Sequence, residues 1–203
     1  MKNISPKLAE ILGLLCAEGS YVLAYSSYWG KERCKPRYYK NKKSERIEFS
    51  NEDQKLLMHF QTLVSLEFGF RPNITKHNKI NLCRNEIIRA ILSHTRLGHL
   101  SWQVPASVQN GSCDVKEAFI RGFFDGDGTA SKEIRFFSTN EKGLTQLSGI
   151  LSNLGWKNYM LKPQIKPNRK PLFTIQLLSK EKENFLKQIK PISKHPGLCE
   201  GSH

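Results

Sequence analysis

Two short stretches, spaced like helix faces and rich in small residues, constrain this chain more than any other feature. In Phe119–Gly128 (FIRGFFDGDG), Phe119, Gly122, Phe123 and Gly126 fall at the i, i+3, i+4, i+7 spacing of a buried helical stripe. Glycine costs roughly 1 kcal/mol relative to alanine inside a helix. Two on one face therefore need a reason, and close approach of a second backbone supplies one. The stretch ends in Asp127-Gly128, with Gly128 suited to a left-handed helix stop. Asp127 then sits at the negative end of the helix dipole, where a carboxylate is disfavoured unless a cation lies beside it. The pattern recurs in Ile11–Gly19 (ILGLLCAEG), which matches Gly13 to Gly122, Ala17 to Gly126, Glu18 to Asp127 and Gly19 to Gly128. Packing of the two small faces brings Glu18 and Asp127 side by side. Two carboxylates so placed make an oxygen-ligand site of the kind Mg²⁺ prefers.

Charge says what such a chain meets. A net charge of +14 and a pI near 9.7 point to a polyanion, nucleic acid first and an acidic membrane second. Cys16, Cys34, Cys83, Cys113 and Cys199 are odd in number and lack CxxC or Cys/His spacing. That argues against a zinc site and a disulfide framework, and for thiols in a reducing, intracellular compartment. No run is long and apolar enough for a membrane span, and the N-terminus is expected to lack a signal-peptide pattern.

Along the chain, Ser5-Pro6 starts the first small-residue helix. Strand-like runs at 21–28 and 45–49 flank a basic middle, residues 31–43, with Trp29, Tyr38 and Tyr39 among the Lys and Arg. Ser50 or Asn51 caps a helix that Gly69 ends. Strands at 73–76 and 79–83 and a helix at 85–96 follow, then a linker at 98–112 broken by Pro105 and Asn110-Gly111. The second half repeats this order: a hairpin at 129–138, a helix from Asn140-Glu141 to Leu154, strands at 159–165 and 171–178 around a basic turn, and a helix at 180–190. Basic residues neutralise phosphates, and planar side chains lie against sugars or bases. The candidate nucleic-acid contacts are Tyr25, Ser27, Trp29, Lys31, Arg33, Lys35, Arg37, Tyr39 and Lys40 in the first hairpin and Lys76 and Lys79 at the next turn. In the second half they are Lys132, Arg135, Lys166, Arg169 and Lys170. Asp125 aligns with Cys16, so that position is acidic in one copy only and reads as structural. The histidines show no ligand-like clustering.

Both small-residue stretches resemble the signature helix of the LAGLIDADG homing endonucleases, in the single-chain form that carries two copies. The resemblance implies an α+β fold, a pseudo-twofold pair of αββαββα halves, each laying a four-stranded antiparallel sheet against DNA as a saddle. The halves are expected at 1–97 and 113–200, with 98–112 as linker. It implies a monomer that hydrolyses one phosphodiester per strand across the minor groove of a long, pseudo-palindromic duplex site, encoded in an intron. Glu18 and Asp127 would be catalytic and hold Mg²⁺, helped by the carbonyls of Ala17 and Gly126. Mn²⁺ would substitute, and Ca²⁺ would support binding without cleavage. An RNA-binding intron maturase and a regulator without cleavage are the rival readings; retention of both acids favours the enzyme. Two features depart from the family. The first copy has Glu where Asp is more frequent. The Gln or Lys that many relatives carry at the strand end before the second helix of a half is replaced, on this reading, by Phe49-Ser50 and Ser138-Thr139. Lys194 is a candidate stand-in for that basic group.

Overall fold

In the computed structural model, which describes residues 4–193, helix α1 spans Pro6–Glu18. The Ser5 side chain caps it, accepting from the Leu8 N–H at 3.0 Å. Helix α5 (Cys113–Asp127) packs along it. The close approach is reciprocal. A Cβ on Gly13 would lie 2.2 Å from the Phe119 carbonyl and 2.9 Å from the Phe123 nitrogen. One on Gly122 would lie 2.2 Å from the Glu10 carbonyl and 2.9 Å from the Leu14 nitrogen. Equal distances on equivalent atoms are the mark of a local twofold axis between the helices. The remaining faces of the pair bury Leu8, Ile11, Leu12 and Leu15 on α1 and Phe119, Ile120, Phe123 and Phe124 on α5.

Each signature helix runs into a hairpin. In the first half β1 (Gly19–Glu32) pairs with β2 (Lys35–Ser50), and β3 (Lys79–Leu82) adds to β2. The fourth strand expected at 73–76 is a single bridge, Ile74 to Ile80. In the second half β4 (Gly128–Thr129), β5 (Arg135–Ser138), β6 (Asn158–Met160) and β7 (Phe173–Leu177) form a four-stranded antiparallel sheet in the order β4-β5-β7-β6. Helix α2 (Gln54–Phe68) backs the first sheet, and α6 (Glu141–Asn153) backs the second. Helix α3 (Asn85–Leu92) precedes the connection, which carries the short α4 (Ala106–Gln109), and α7 (Lys182–Ile189) follows a 3₁₀ turn at Ser179–Glu181. The inward sheet faces, with Ile47, Phe49, Ile80, Leu82, Phe136, Ile175 and Leu177, join the helices in one core. No helix among the described residues is long and apolar enough to cross a membrane.

Three local expectations change. Gly19 and Gly128 do not adopt the left-handed conformation; both are extended, with φ of −90° and −104°. They are small for want of space: a Cβ on Gly19 would meet the Leu15 carbonyl at 2.5 Å, and one on Gly128 the Phe124 ring at 2.2 Å. Helix α2 is capped by Asp53, whose carboxylate accepts from the Lys55 N–H at 2.8 Å, and not by Ser50 or Asn51. The basic middle of the first hairpin is strand almost throughout, turning at Arg33-Cys34 (φ 49° and 67°).

Gly149 has no such packing reason: it is exposed within α6 and a Cβ there meets nothing within 4 Å. Gly149→Ala is expected to raise stability by about 0.5–1 kcal/mol through helix propensity alone. Chemical denaturation checks this; a lowered midpoint refutes it.

Candidate nucleic-acid interface and acid pair

Glu18 and Asp127 are the last residues of α1 and α5, both half-buried. The helix seam brings their surroundings together. A Cβ on Gly126 would touch the Ala17 Cβ at 2.4 Å and the Glu18 Cγ at 3.1 Å, so the Glu18 side chain lies on the backbone that leads into Asp127. Neither helix carries a basic residue in its last turn to offset the dipole. Among the described residues no group of three His, Cys, Asp or Glu converges. The donors offered are carboxylate oxygens, which suit a hard divalent cation that keeps water and phosphate ligands, and do not suit zinc.

Each acid opens on a hollow. Glu18 lines a cleft of about 560 Å³ with Ser50, Asn51, Glu52, His77 and Asn78. The Asn51 amide donates to Glu18 Oε1 at 3.3 Å. Asp127 lines a smaller hollow of about 160 Å³ with Cys16, Ala17, His99, Trp102, Ser138 and Thr139, among others. Strand register corrects the expected correspondence between halves. Gly19 pairs with Phe49 and Gly128 with Phe136, so Phe49-Ser50 matches Phe136-Phe137 and Asn51 matches Ser138. The helix caps Asp53 and Asn140 then coincide as well. Asn51 was read as a cap, which hid its reach to Glu18. His99 carried no local signal, because only tertiary folding brings the connection to Asp127.

Other polar groups around the seam are structural. Asp125 is buried and accepts from the backbone N–H of Ile192 and Ser193 at 2.9–3.0 Å, and from the Ser193 hydroxyl at 3.2 Å. Burial pushes its carboxyl above the ordinary aspartate range, while the donated bonds pull it partly back. Buried Glu10 joins three elements, pairing with Arg121 at 2.9 Å and His59 at 2.6 Å. Burial pushes the Cys16 thiol up to about 12, against a weaker opposing effect from Thr95, so it is an inert core group.

The first hairpin divides the expected contacts between two faces. Ser26 pairs with Lys42 and Tyr28 with Tyr39, leaving Ser27 opposite both Lys40 and Asn41. This is a bulge, with Asn41 at φ 49° and its N–H donating to the Ser27 hydroxyl at 2.9 Å. On the face away from the helices, Tyr28 stacks on Tyr39 with centroids 5.3 Å apart. Lys42 lies 4.8 Å and Arg37 5.5 Å from the Tyr39 ring. Tyr25, Trp29 and Lys31 alternate onto the opposite side, the one that continues inward to Tyr21 and Ile47; exposed Trp29 meets Tyr38 there at 5.3 Å. The expected contacts therefore form two surfaces, and Tyr28 and Lys42 belong with Arg37, Tyr39 and Lys35. Arg33 is in the turn itself. Arg37 is paired with Glu32, and Lys79 lies 3.6 Å from Glu48. Lys76 lies in the turn before β3.

On the open face of the second sheet, Arg135, Gln176 and Tyr159 line up across three strands. Arg135 donates to Gln176 at 2.9 Å and Gln176 to the Tyr159 hydroxyl at 2.7 Å; Arg135 also pairs with Glu133 at 2.6 Å. Lys132 is exposed in the turn before β5. Lys166, Arg169 and Lys170 lie around a tight turn with Asn168 at φ 58°. Lys194 lies outside the described residues.

Comparison with known proteins gives the fold of the chain and a family likeness for its second half. A sequence profile described as a LAGLIDADG-like domain matches residues 114–190. The homing endonuclease I-DmoI, in mesophilic variants, superposes with a TM-score of 0.65 at 18% identity, over 93% of this chain and 92% of that one. I-DmoI in complex with DNA and Mn gives 0.63 at 17% identity over 95% and 99%. The chain has the fold of I-DmoI, and its second half carries a LAGLIDADG-like domain. The meganuclease I-SmaMI bound to uncleavable DNA is more distant, with a TM-score of 0.52 at 14% identity over 95% of this chain and 85% of that one. No curated protein sequence matches it. The two small-residue stretches account for the seam: the small positions Gly13, Ala17, Gly122 and Gly126 let the helices meet, and the acids that follow Ala17 and Gly126 emerge together.

Proposed function

We propose that this chain is a two-motif LAGLIDADG protein and a sequence-specific endonuclease that hydrolyses one phosphodiester in each strand of a DNA duplex, across the minor groove. The observation that carries the reading is the packing of the Glu18 side chain on the backbone next to Asp127, which sets two carboxylates at one seam between two sheets. A regulator that only binds has no use for such a costly arrangement.

Glu18 and Asp127 would hold divalent ions, with the Ala17 and Gly126 carbonyls beside them. Such ions lower the pKa of an attacking water and stabilise the leaving oxygen. The chain's own groups do the rest. Asn51 fixes the Glu18 carboxylate by donating to it. The rigid helix pair keeps the two acids from separating, which is the positional order that in-line attack requires. The open sheet faces, with Tyr28, Tyr39, Arg37 and Lys42 in one half and Arg135, Gln176 and Tyr159 in the other, supply donors and planar groups for the major groove. The halves, 1–97 and 113–200, suit a long pseudo-palindromic site read by a monomer, and intron encoding fits such a specificity.

The test is selection from a random duplex library. One sequence class is expected to be retained in Ca²⁺ and cut in Mg²⁺ or Mn²⁺, and a plasmid bearing it should be linearised. Retention without cutting in any of these ions would overturn the enzymatic reading.

A further inference from the structure

The hollow beside Asp127 does not end there. A second hollow of about 400 Å³ shares His99, Thr139 and Leu172 with it and continues to Lys166, Arg169 and Lys170. A groove therefore runs from one acid of the seam to a wall of three cations. Among the described residues, no carboxylate lines the cationic part.

The wall is built, and its key contact comes from the connection between the halves. Lys170 Nζ lies 2.5 Å from His99 Nε2. An ammonium has only donors, so Nε2 accepts and the ring proton is on Nδ1. His99 is itself anchored, because its carbonyl accepts from the Thr139 hydroxyl at 3.1 Å, next to the Asn140 cap of α6. From the other side the cationic turn is held by the Gln164–Leu172 bridge, with backbone bonds of 2.9 and 3.0 Å. Four other cations on these sheets are matched by acids: Arg37 by Glu32, Lys43 by Glu45, Arg46 by Glu48 and Arg135 by Glu133. Lys170 differs from these four in being held by the His99 ring and not by a carboxylate. Its rotamer is restricted while its full charge stays directed at the groove.

We propose that Lys170 anchors a backbone phosphate of the DNA strand attacked beside Asp127, and that His99 is the positioning residue that sets it there. This rests on the endonuclease reading. A long, mobile lysine is a poor anchor because ordering its side chain costs entropy on binding. The His99 contact meets that cost in the folded protein, before DNA arrives. The connection thus contributes to one of the two strand cuts and not to the other.

The test is single-turnover cleavage of a selected duplex labelled on each strand. His99→Ala is expected to slow one strand by about tenfold, the scale of a lost positioning contact, and leave the other within about twofold. Nicked circle should then accumulate from supercoiled plasmid. Lys170→Ala should slow the same strand equally, and the double variant should be no slower than either single one. His99→Gln, whose carbonyl can accept from Lys170, should restore the rate. Lys170 is exposed, so its variant carries the test should His99→Ala fail to fold. Equal slowing of both strands, no slowing, or additive losses would overturn the proposal while leaving the endonuclease reading intact. Failure of the unaltered protein to cut any selected duplex would overturn both.

Discussion

Glu18→Gln and Asp127→Asn are each expected to lower cleavage by at least about a thousandfold, the effect of losing several kcal/mol of stabilisation at the reacting phosphates. Both substitutions keep side-chain shape. At position 18 the new amide carbonyl can still accept from Asn51, which now donates at 3.3 Å. Each removes one negative charge from a surface that must approach phosphates, so affinity in Ca²⁺ is expected to hold or rise slightly. Single-turnover rates in Mg²⁺ and gel-shift titrations in Ca²⁺ separate the two effects. Undiminished cutting by both variants would remove the acids from the mechanism.

The second large effect concerns the seam itself. Gly122→Val places a Cβ 2.2 Å from the Glu10 carbonyl and 2.9 Å from the Leu14 nitrogen, which are backbone atoms that cannot rotate aside. The helices must separate, and the expected loss is about 3 kcal/mol or more. For a chain of this size that lowers the melting temperature by about 6–12 °C. Gly13→Val meets the Phe119 and Phe123 backbone in the same way. The double variant should cost less than the sum, because a seam opened once has little more to lose. Calorimetry reads all three, and an unchanged melting temperature for Gly122→Val would contradict the close approach.

Much of this was legible in the sequence because it is local and periodic. Gly13, Ala17, Gly122 and Gly126 announce a helix seam through spacing alone, and the acids follow by position. The glycines after the acids were misread: Gly19 and Gly128 answer to crowding by Leu15 and Phe124, not to backbone handedness. The first hairpin was under-read because its Lys-rich middle resembles a solvated loop, although Tyr28, Trp29, Tyr38 and Tyr39 favour strand. Its facing was lost at Asn41, since a bulge shifts side-chain alternation and leaves little mark in composition. Asn51 reaches Glu18, and His99 lines the hollow beside Asp127, from segments remote in the chain, so neither motif nor period could point to them.

The reciprocal contact of Gly13 with α5 and of Gly122 with α1 also bears on how the chain is made. Its two partners are separated by roughly a hundred residues of synthesis, which takes about 5–20 s at ordinary elongation rates. Throughout that interval the small-residue face of the first helix, at Gly13, has no mate on the ribosome. The window for aggregation or chaperone capture is therefore set by translation speed between codons 13 and 122, and slowing the ribosome there should cost soluble yield.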